Sequence, residues 1–238
     1  MPPVAETSAQ ACVHNAATRP LVLAPDPKYA PPVPAHPFTI AHASFLYAIA
    51  PGSSAPETDV PEIAFAGRSN VGKSSLMNRL MSRRNLVRTS STPGCTRQIN
   101  IFETRLADGP TLRLVDLPGF GFAKRSKDER VQWGALIEGY LTNRSSLRSI
   151  VLVVDARRGI EHEEQMLVDF VRDARAASPV RLLCVATKTD KLPRSQVAAT
   201  CSAIHKASGL STTGFSAQSG EGRERVWRAI LASLTPTS

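Results

Sequence analysis

Eight consecutive residues, Gly67-Arg68-Ser69-Asn70-Val71-Gly72-Lys73-Ser74, have the spacing G-x-x-x-x-G-K-[ST]. They follow the apolar run Ile63-Ala64-Phe65-Ala66 and lead into Ser75-Leu76-Met77-Asn78-Arg79-Leu80, which reads as a helix. Strand, loop and helix are the context in which this pattern cradles phosphate. Glycines let the backbone wrap an anion closely, and successive N–H groups at the helix start point at it. Lys73 is placed to reach the outer phosphates, and the Ser74 hydroxyl to ligate magnesium. Both side chains are expected to face the phosphates, not the core. The plain alternative is a glycine-containing turn before a helix; the complete spacing and the flanks weigh against it. The loop implies a nucleoside triphosphate and leaves the base open.

The base is chosen further along. Val180–Ala186 reads as a buried strand ending in Thr187-Lys188-Thr189-Asp190. A carboxylate at the C-terminal end of a parallel strand lies where doubly wound sheets hold ligands. Asp190 can accept two hydrogen bonds, which suits the donor edge of guanine; adenine lacks that donor pair. The Lys188 stem can cover the base while its ammonium reaches solvent or the phosphate loop. Between these stations, the strand Leu112–Val115 runs into Asp116-Leu117-Pro118-Gly119, a D-x-x-G pattern. Asp116 would hold magnesium through water, and the Gly119 N–H would sense the γ-phosphate. Thr96 and Thr92, in Thr92-Pro93-Gly94-Cys95-Thr96, compete for the threonine that completes the magnesium shell. Thr96 stands nearer the strand Gln98–Leu106. Finally, the backbone of Phe215-Ser216-Ala217, after a strand-like Leu210–Phe215, is placed to contact the guanine O6.

Together these stretches resemble the EngB (YihA/YsxC) family of bacterial ribosome-biogenesis GTPases. The strings carrying the resemblance are Glu62–Ser75, Thr92–Thr96, Asp116-Leu117-Pro118-Gly119-Phe120-Gly121-Phe122-Ala123 and Thr187-Lys188-Thr189-Asp190-Lys191. Trp133, Ile137-Glu138 and Tyr140-Leu141 add to them. Thr187, where many GTPases have Asn, is similar to this family. The resemblance implies GTP/GDP and magnesium binding, slow hydrolysis, and a switch role in large ribosomal subunit assembly. It also implies a link to cell division and septation. It further implies nucleotide contacts at Ser75, Gly94, Cys95, Arg97 and Gln98, with Lys73, Thr96 and Gly119 closest to the chemistry.

Many GTPases place Gln after D-x-x-G to orient the attacking water. Here that residue is Phe120, and a phenyl ring cannot orient water by hydrogen bonding. A monovalent cation is one substitute. Asn70 resembles the potassium-ligating Asn of related GTPases, and a local turn hydrogen bond is the equal alternative.

What must position these residues is a domain with alternating strands and helices. Residues 1–37 are Pro- and Ala-rich and predict a disordered extension. Residues 38–238 predict the GTPase domain. Phe38–Ala48 reads as an edge strand or cap and Pro51–Pro61 as a loop. Gln98–Leu106 and Thr111–Val115 form a hairpin turning at Ala107-Asp108-Gly109-Pro110. Ser126–Glu129 is a capping box opening a helix whose Trp133, Leu136, Ile137, Tyr140 and Leu141 share one face. Ser149–Val154 is a buried strand. Glu161–Arg175 is amphipathic, with Met166, Leu167, Phe170 and Val171 expected inward. Helices from Pro193 and over Val226–Leu234 follow. The order predicts an α/β fold: a mostly parallel sheet of six or seven strands, one strand antiparallel, helices on both faces.

The chain has 238 residues, 29 Lys and Arg against 20 Asp and Glu, and formal net charge +9. That excess favours a polyanionic partner, ribosomal RNA, bound through backbone and shape; DNA and membrane are not expected. The clusters are Arg83, Arg84, Arg88; Lys124, Arg125, Lys127; Arg144, Arg148; and Arg223, Arg225, Arg228. A run of about 20 apolar residues that could span a bilayer is lacking. Met1–Pro20 lacks a signal-peptide apolar core, and no appended KH domain is expected after Leu234. The four cysteines, Cys12, Cys95, Cys184 and Cys201, show no paired spacing and read as free cytosolic thiols. A cytoplasmic monomer is expected. Two other functions compete: a module that binds GTP with negligible hydrolysis, and a P-loop nucleotide kinase. The kinase reading leaves Asp190 and the D-L-P-G-F-G string without a purpose.

Overall fold

Among the described residues, seven strands and five helices alternate as the apolar periodicities require. The computed structural model describes residues 38–88, 98–119, 127–178 and 180–235, with the backbone alone for 127–133. The expected N-terminal extension, the Thr92/Thr96 segment and Phe120–Ser126 lie outside the described residues. In chain order the elements are β1 (Ile40–Ile49), β2 (Glu62–Ala66), α1 (Lys73–Leu80), β3 (Ile99–Leu106), β4 (Thr111–Asp116), α2 (Lys127–Asn143) and β5 (Leu147–Asp155). There follow α3 (His162–Ala174), β6 (Arg181–Thr187), α4 (Arg194–Ser208), β7 (Thr212–Gly214) and α5 (Arg223–Ala232).

The sheet order is β1-β3-β4-β2-β5-β6-β7. β3 pairs antiparallel with both β1 and β4; every other pairing is parallel. This is the predicted mostly parallel sheet with one reversed strand, at the upper of the two expected sizes. β2 and β5 lie centrally and are buried along almost their whole length, so they read as apolar runs without alternation. β1 takes the edge reading.

Strand alternation divides the core. Ile63 and Phe65 of β2, with Val151 and Val153 of β5, pack under Leu76, Met77 and Leu80 of α1 and Trp227 and Ile230 of α5. Ala64, Ala66 and Ile150 face the other way, toward Tyr140 and Leu141 of α2 and Val171 of α3. Leu152, Val154, Cys184 and Ala186 meet Val168 of α3 and Ile204 of α4. Cys184 is buried, and that burial pushes its thiol up to about 12. One predicted core residue fails: Met166 is 58% exposed, while Val168, not singled out, is 1% exposed. The inward stripe of α3 runs Glu164–Val168–Val171–Arg175, and Met166 sits about 200° around the axis from Val168. Among the described residues no helix is long and apolar enough to cross a membrane.

Buried charge locks the layers. Glu62, fully buried at the start of β2, accepts from Tyr140 Oη at 2.7 Å, Arg144 Nε at 2.7 Å and Arg144 Nη2 at 2.8 Å. Arg175 then donates to the Leu141 and Arg144 carbonyls at the end of α2. Arg223 of α5 donates to the carbonyls of Arg79, Phe38 and Leu80. Arg144 and Arg223 therefore do not belong to an outward polyanion-facing surface, as their clusters had implied. Arg144 is buried because it has a carboxylate to neutralise; Arg223 is half-buried because it caps α1.

Burial raises the Glu62 carboxyl, but hydrogen bonds from Arg144 and Tyr140 outweigh it and hold the carboxyl below its ordinary 4.5. Its folded-state value is depressed. The stabilisation is therefore complete above 4.5 and disappears as pH falls through the folded value. Glu62→Gln should cost about 3–5 kcal/mol by leaving a buried guanidinium unpaired. Denaturant titration at neutral pH checks this, and the wild-type advantage should shrink in acid. A loss under about 1 kcal/mol, the scale of a surface ion pair, would show that the pair is not holding β2 to α2.

Candidate functional site

Parallel pairing sets the C-terminal ends of β4, β2, β5 and β6 side by side. Asp116 ends β4 opposite Phe65, and Asp155 ends β5 opposite Thr187, the last residue of β6. β2 ends one residue before Gly67. The loops that leave these ends carry the predicted residues.

The phosphate loop passes over β5 and into α1 without room for side chains at its start. A Cβ on Gly67 would collide with the Val153 carbonyl. A Cβ on Gly119 would stand 2.8 Å from Ser69 Oγ and 3.2 Å from Ser69 N, so the D-x-x-G glycine lies against the phosphate loop. Lys73 is 8% exposed and forms an ion pair with Asp116, itself 2% exposed. The two residues expected to serve phosphate and magnesium are thus in contact. Ser74 and Ser75 are half-buried on the first turn of α1. Asn70 is exposed with φ 64, in the left-handed region. Arg68 is paired with Glu161 and, at 2.8 Å, with Glu163 at the start of α3. Glu161 and Glu164 form a capping box there.

The base-recognition loop is tied to this one. The Thr187 hydroxyl, 2% exposed, lies within donating distance of the Val71 carbonyl and, at 2.9 Å, of the Val154 carbonyl. Lys188, at φ 59, donates from Nζ to the Asn70 carbonyl at 2.6 Å. Its ammonium thus reaches the phosphate loop, one of the two destinations expected for it. Thr189–Lys191 form a single 3-10 turn that presents Asp190. Ser216 Oγ donates to Asp190 Oδ1 at 2.7 Å. That bond, ahead of the opposing effect of burial, lowers the Asp190 carboxyl from its ordinary value. The Phe215 N–H is bonded to the Ala186 carbonyl at 2.8 Å, and Ala217 packs against the core. Gln98 is an exposed bend before β3. Leu117 and Pro118 are buried beneath Gly119. Gly94, Cys95, Thr96 and Arg97 lie outside the described residues.

Sequence reasoning missed two participants. The Ser216 side chain belongs to the candidate site through Asp190, while its N–H is bonded to the Glu221 carbonyl at 3.0 Å; a hydroxyl 26 positions from its carboxylate leaves no local signal. Asp155 was not singled out either. It is 4% exposed and holds Arg157 and Lys188. The sole signal available was an acid at the end of an otherwise apolar strand, at the edge where the other site residues emerge.

Comparison with known proteins bears on the fold and the family. The family described as 50S ribosome-binding GTPase matches residues 62–188. A probable GTP-binding protein EngB of Desulforapulum autotrophicum is 48% identical over 178 residues, 74% of this chain and 88% of that protein. Its counterpart in Streptococcus mutans is 42% identical over 197 residues, 81% of this chain and 96% of that protein. A crystal structure of a probable GTP-binding protein EngB superposes with TM-score 0.55 at 26% identity, over 72% of this chain and 97% of that one. The fold is also that of Era, crystallised with MgGDPNP and a 16S ribosomal RNA fragment: TM-score 0.63, 23% identity, 76% of this chain and 59% of that one.

Asp190→Asn should weaken guanine-nucleotide binding by about 1–3 kcal/mol, because an amide cannot accept both edge donors. It should partly transfer preference to xanthine. Calorimetric titration with the two diphosphates checks this; an unchanged preference would remove Asp190 from the base site. Lys73→Ala should also weaken nucleotide binding. It should lower the melting temperature of the nucleotide-free protein as well, because Asp116 then loses its cation. An unchanged melting temperature would show that the Lys73–Asp116 pair contributes nothing to the fold.

Proposed function

The chain belongs to the EngB family of GTP-binding proteins, which are GTPases, and on that premise we propose that it is a magnesium-dependent, GTP-switched factor acting on the large ribosomal subunit precursor. The observation that carries the guanine reading is Asp190, an anionic carboxylate aimed by Ser216 beside the Lys188 stem. A carboxylate so held complements two donors on one base edge and leaves adenine unmatched.

The residues suit magnesium as far as their chemistry goes. Among the described residues no group of three or more His, Cys, Asp or Glu could hold a metal ion. Magnesium bound with a nucleotide needs no such cage: it takes one or two protein oxygens and completes its shell with phosphate and water. Ser74 supplies a hydroxyl and Asp116 a carboxylate, and Lys73 stands beside them. The ion would neutralise charge developing on the phosphates. Gly119, close against Ser69, is the natural sensor of the γ-phosphate. With Phe120 in place of a water-orienting Gln, hydrolysis is slow by itself, and a potassium ion at Asn70 belongs to the same proposal.

The partner reading rests on the family described as 50S ribosome-binding and on the +9 net charge. Lys124, Arg125 and Lys127 follow the sensing glycine directly in sequence. GTP binding that orders this segment would present their charge to RNA phosphates. Cytoplasmic action and the link to division and septation follow from the same proposal.

Co-sedimentation with purified large subunits should be stronger with a non-hydrolysable GTP analogue than with GDP, and should fall as salt rises. Removing charge at Lys124, Arg125 and Lys127 together should weaken it while sparing GTP affinity. Single-turnover hydrolysis should be slow in sodium and faster in potassium or with subunits present. Equal sedimentation in both nucleotide states would discard the switch. Hydrolysis absent under every condition would leave a GTP-binding module.

A further inference from the structure

Asp155 is a buried acid that the nucleotide reading leaves without a task. It ends β5, is 4% exposed, and stands in register with Thr187 at the edge where the base-recognition loop begins. A carboxylate that close to a polyphosphate site is electrostatically unhelpful unless its charge is cancelled. Two cations cancel it. Arg157 grips both oxygens, Nε to Oδ1 at 3.0 Å and Nη2 to Oδ2 at 2.6 Å. Lys188 Nζ lies 3.0 Å from Oδ2 and simultaneously donates to the Asn70 carbonyl at 2.6 Å. Burial raises the carboxyl, but Arg157 first and Lys188 next outweigh it and hold it far below the usual carboxylate range. Asp155 is therefore anionic at any working pH.

The geometry on Lys188 is demanding. Its backbone sits at φ 59, a region that L side chains adopt at a cost. Its ammonium has two fixed partners on different elements: a main-chain carbonyl of the phosphate loop and the last side chain of β5. With the Cα and Nζ both anchored, the four-carbon stem between them loses most of its rotamer freedom before any ligand arrives. Asp155 Oδ1 also accepts the Arg157 main-chain N–H at 3.1 Å, a local task, but that task does not call for Lys188. The turn after β5 is already closed by main-chain bonds from Arg158 N and Gly159 N to the Asp155 carbonyl, at 2.9 and 3.1 Å. That turn does not need Lys188.

We propose that Asp155 is a positioning residue for guanine-nucleotide binding, fixing the Lys188 ammonium against the Asn70 carbonyl so that the Lys188 stem stands as a preformed wall of the base pocket. Arg157 holds the carboxylate in the rotamer that reaches Lys188 and cancels the charge that would otherwise repel the phosphates. The inference rests on the reading of Lys188 and Asp190 as the base site. It adds to it that the wall of that site is set from β5, a strand that carries none of the recognition sequence. Preorganisation of this kind acts on affinity by removing an ordering cost at binding.

A double-mutant cycle tests it, read by equilibrium binding and dissociation of fluorescent GDP. Asp155→Asn should weaken GDP about tenfold, within the range of coupled neighbours, mostly through faster dissociation. Lys188→Met should weaken it at least as much. The double variant should be no worse than Lys188→Met alone, because the carboxylate then has nothing to position. The preference for GDP over inosine diphosphate should be unchanged in Asp155→Asn, since the wall covers the face of the base. In Asp190→Asn, which alters the edge, that preference should change. Fully additive losses, or a changed GDP-to-IDP ratio in Asp155→Asn, would overturn the proposal. If Asp155→Asn fails to fold, the same cycle with Arg157→Ala decides: its smaller loss should vanish in the Lys188→Met background, and persistence of that loss would overturn the proposal. A wild-type protein that binds no guanine nucleotide would sink the base-site reading, and this inference with it.

Discussion

Parallel hydrogen bonding among β4, β2, β5 and β6 is the constraint on which the site depends. A parallel ladder aligns the strands head to head, so all four C-terminal ends fall on one edge. Asp116, the phosphate loop, Asp155 and Thr187 are neighbours for that reason alone. The register fixes them further: Asp155 stands opposite Thr187, and Asp116 opposite Phe65, the residue two before Gly67. A slip of one residue on any strand would turn each of these groups to the other face. Close packing under helices on both faces resists such a slip, because each side chain would meet a space of another size. Core packing thus sets the geometry of a polar site that contributes little to the core.

The loops add cross-links that the sheet does not provide. The Thr187 hydroxyl has one proton and two carbonyls within reach, Val71 on the phosphate loop and Val154 on β5. Arg79 of α1 donates to the Ala217 and Gln218 carbonyls beyond Ser216 at 2.7 and 2.8 Å. The phosphate loop and α1 are therefore joined to the Thr187–Asp190 loop and to the Ser216–Gln218 turn at two separate places.

Legibility in the sequence followed the distance between partners. The phosphate loop, D-x-x-G and T-K-x-D stood out because each carries its residue types at a fixed spacing within a few positions, while their partners in space, Asp116 for Lys73 and Ser216 for Asp190, lie 43 and 26 positions away. The strands could be read because burial on both faces imposes unbroken apolar runs. Glu62 and Arg144 could not be paired, being 82 positions apart, and Arg144 was instead grouped with exposed Arg148 as positive surface. Arg223 was misassigned for the same reason. Positive charge left on the exposed surface includes Arg83, Arg84, Arg88, Arg148, Arg225 and Arg228. Met166 failed differently: hydrophobicity placed it inward, while the helical angle placed it outward, and the angle prevails when Glu164 can be accommodated inside by a capping box.

The Glu62–Arg144 pair also has a bearing on how the chain is made. β2 emerges early in synthesis, but the cation that permits its first residue to be fully buried is 82 residues behind. At roughly 5–20 residues per second, that is about 4–16 s during which the carboxylate lacks its two-bond partner and has Arg113, 3.7 Å away in the finished fold, as its earlier cation. Docking β2 before Arg144 is present would bury a charge that lacks its two closest donors. Full burial of the central strand is therefore favoured only once the chain has been translated through Arg144, and β2 is expected to lock into the layers late.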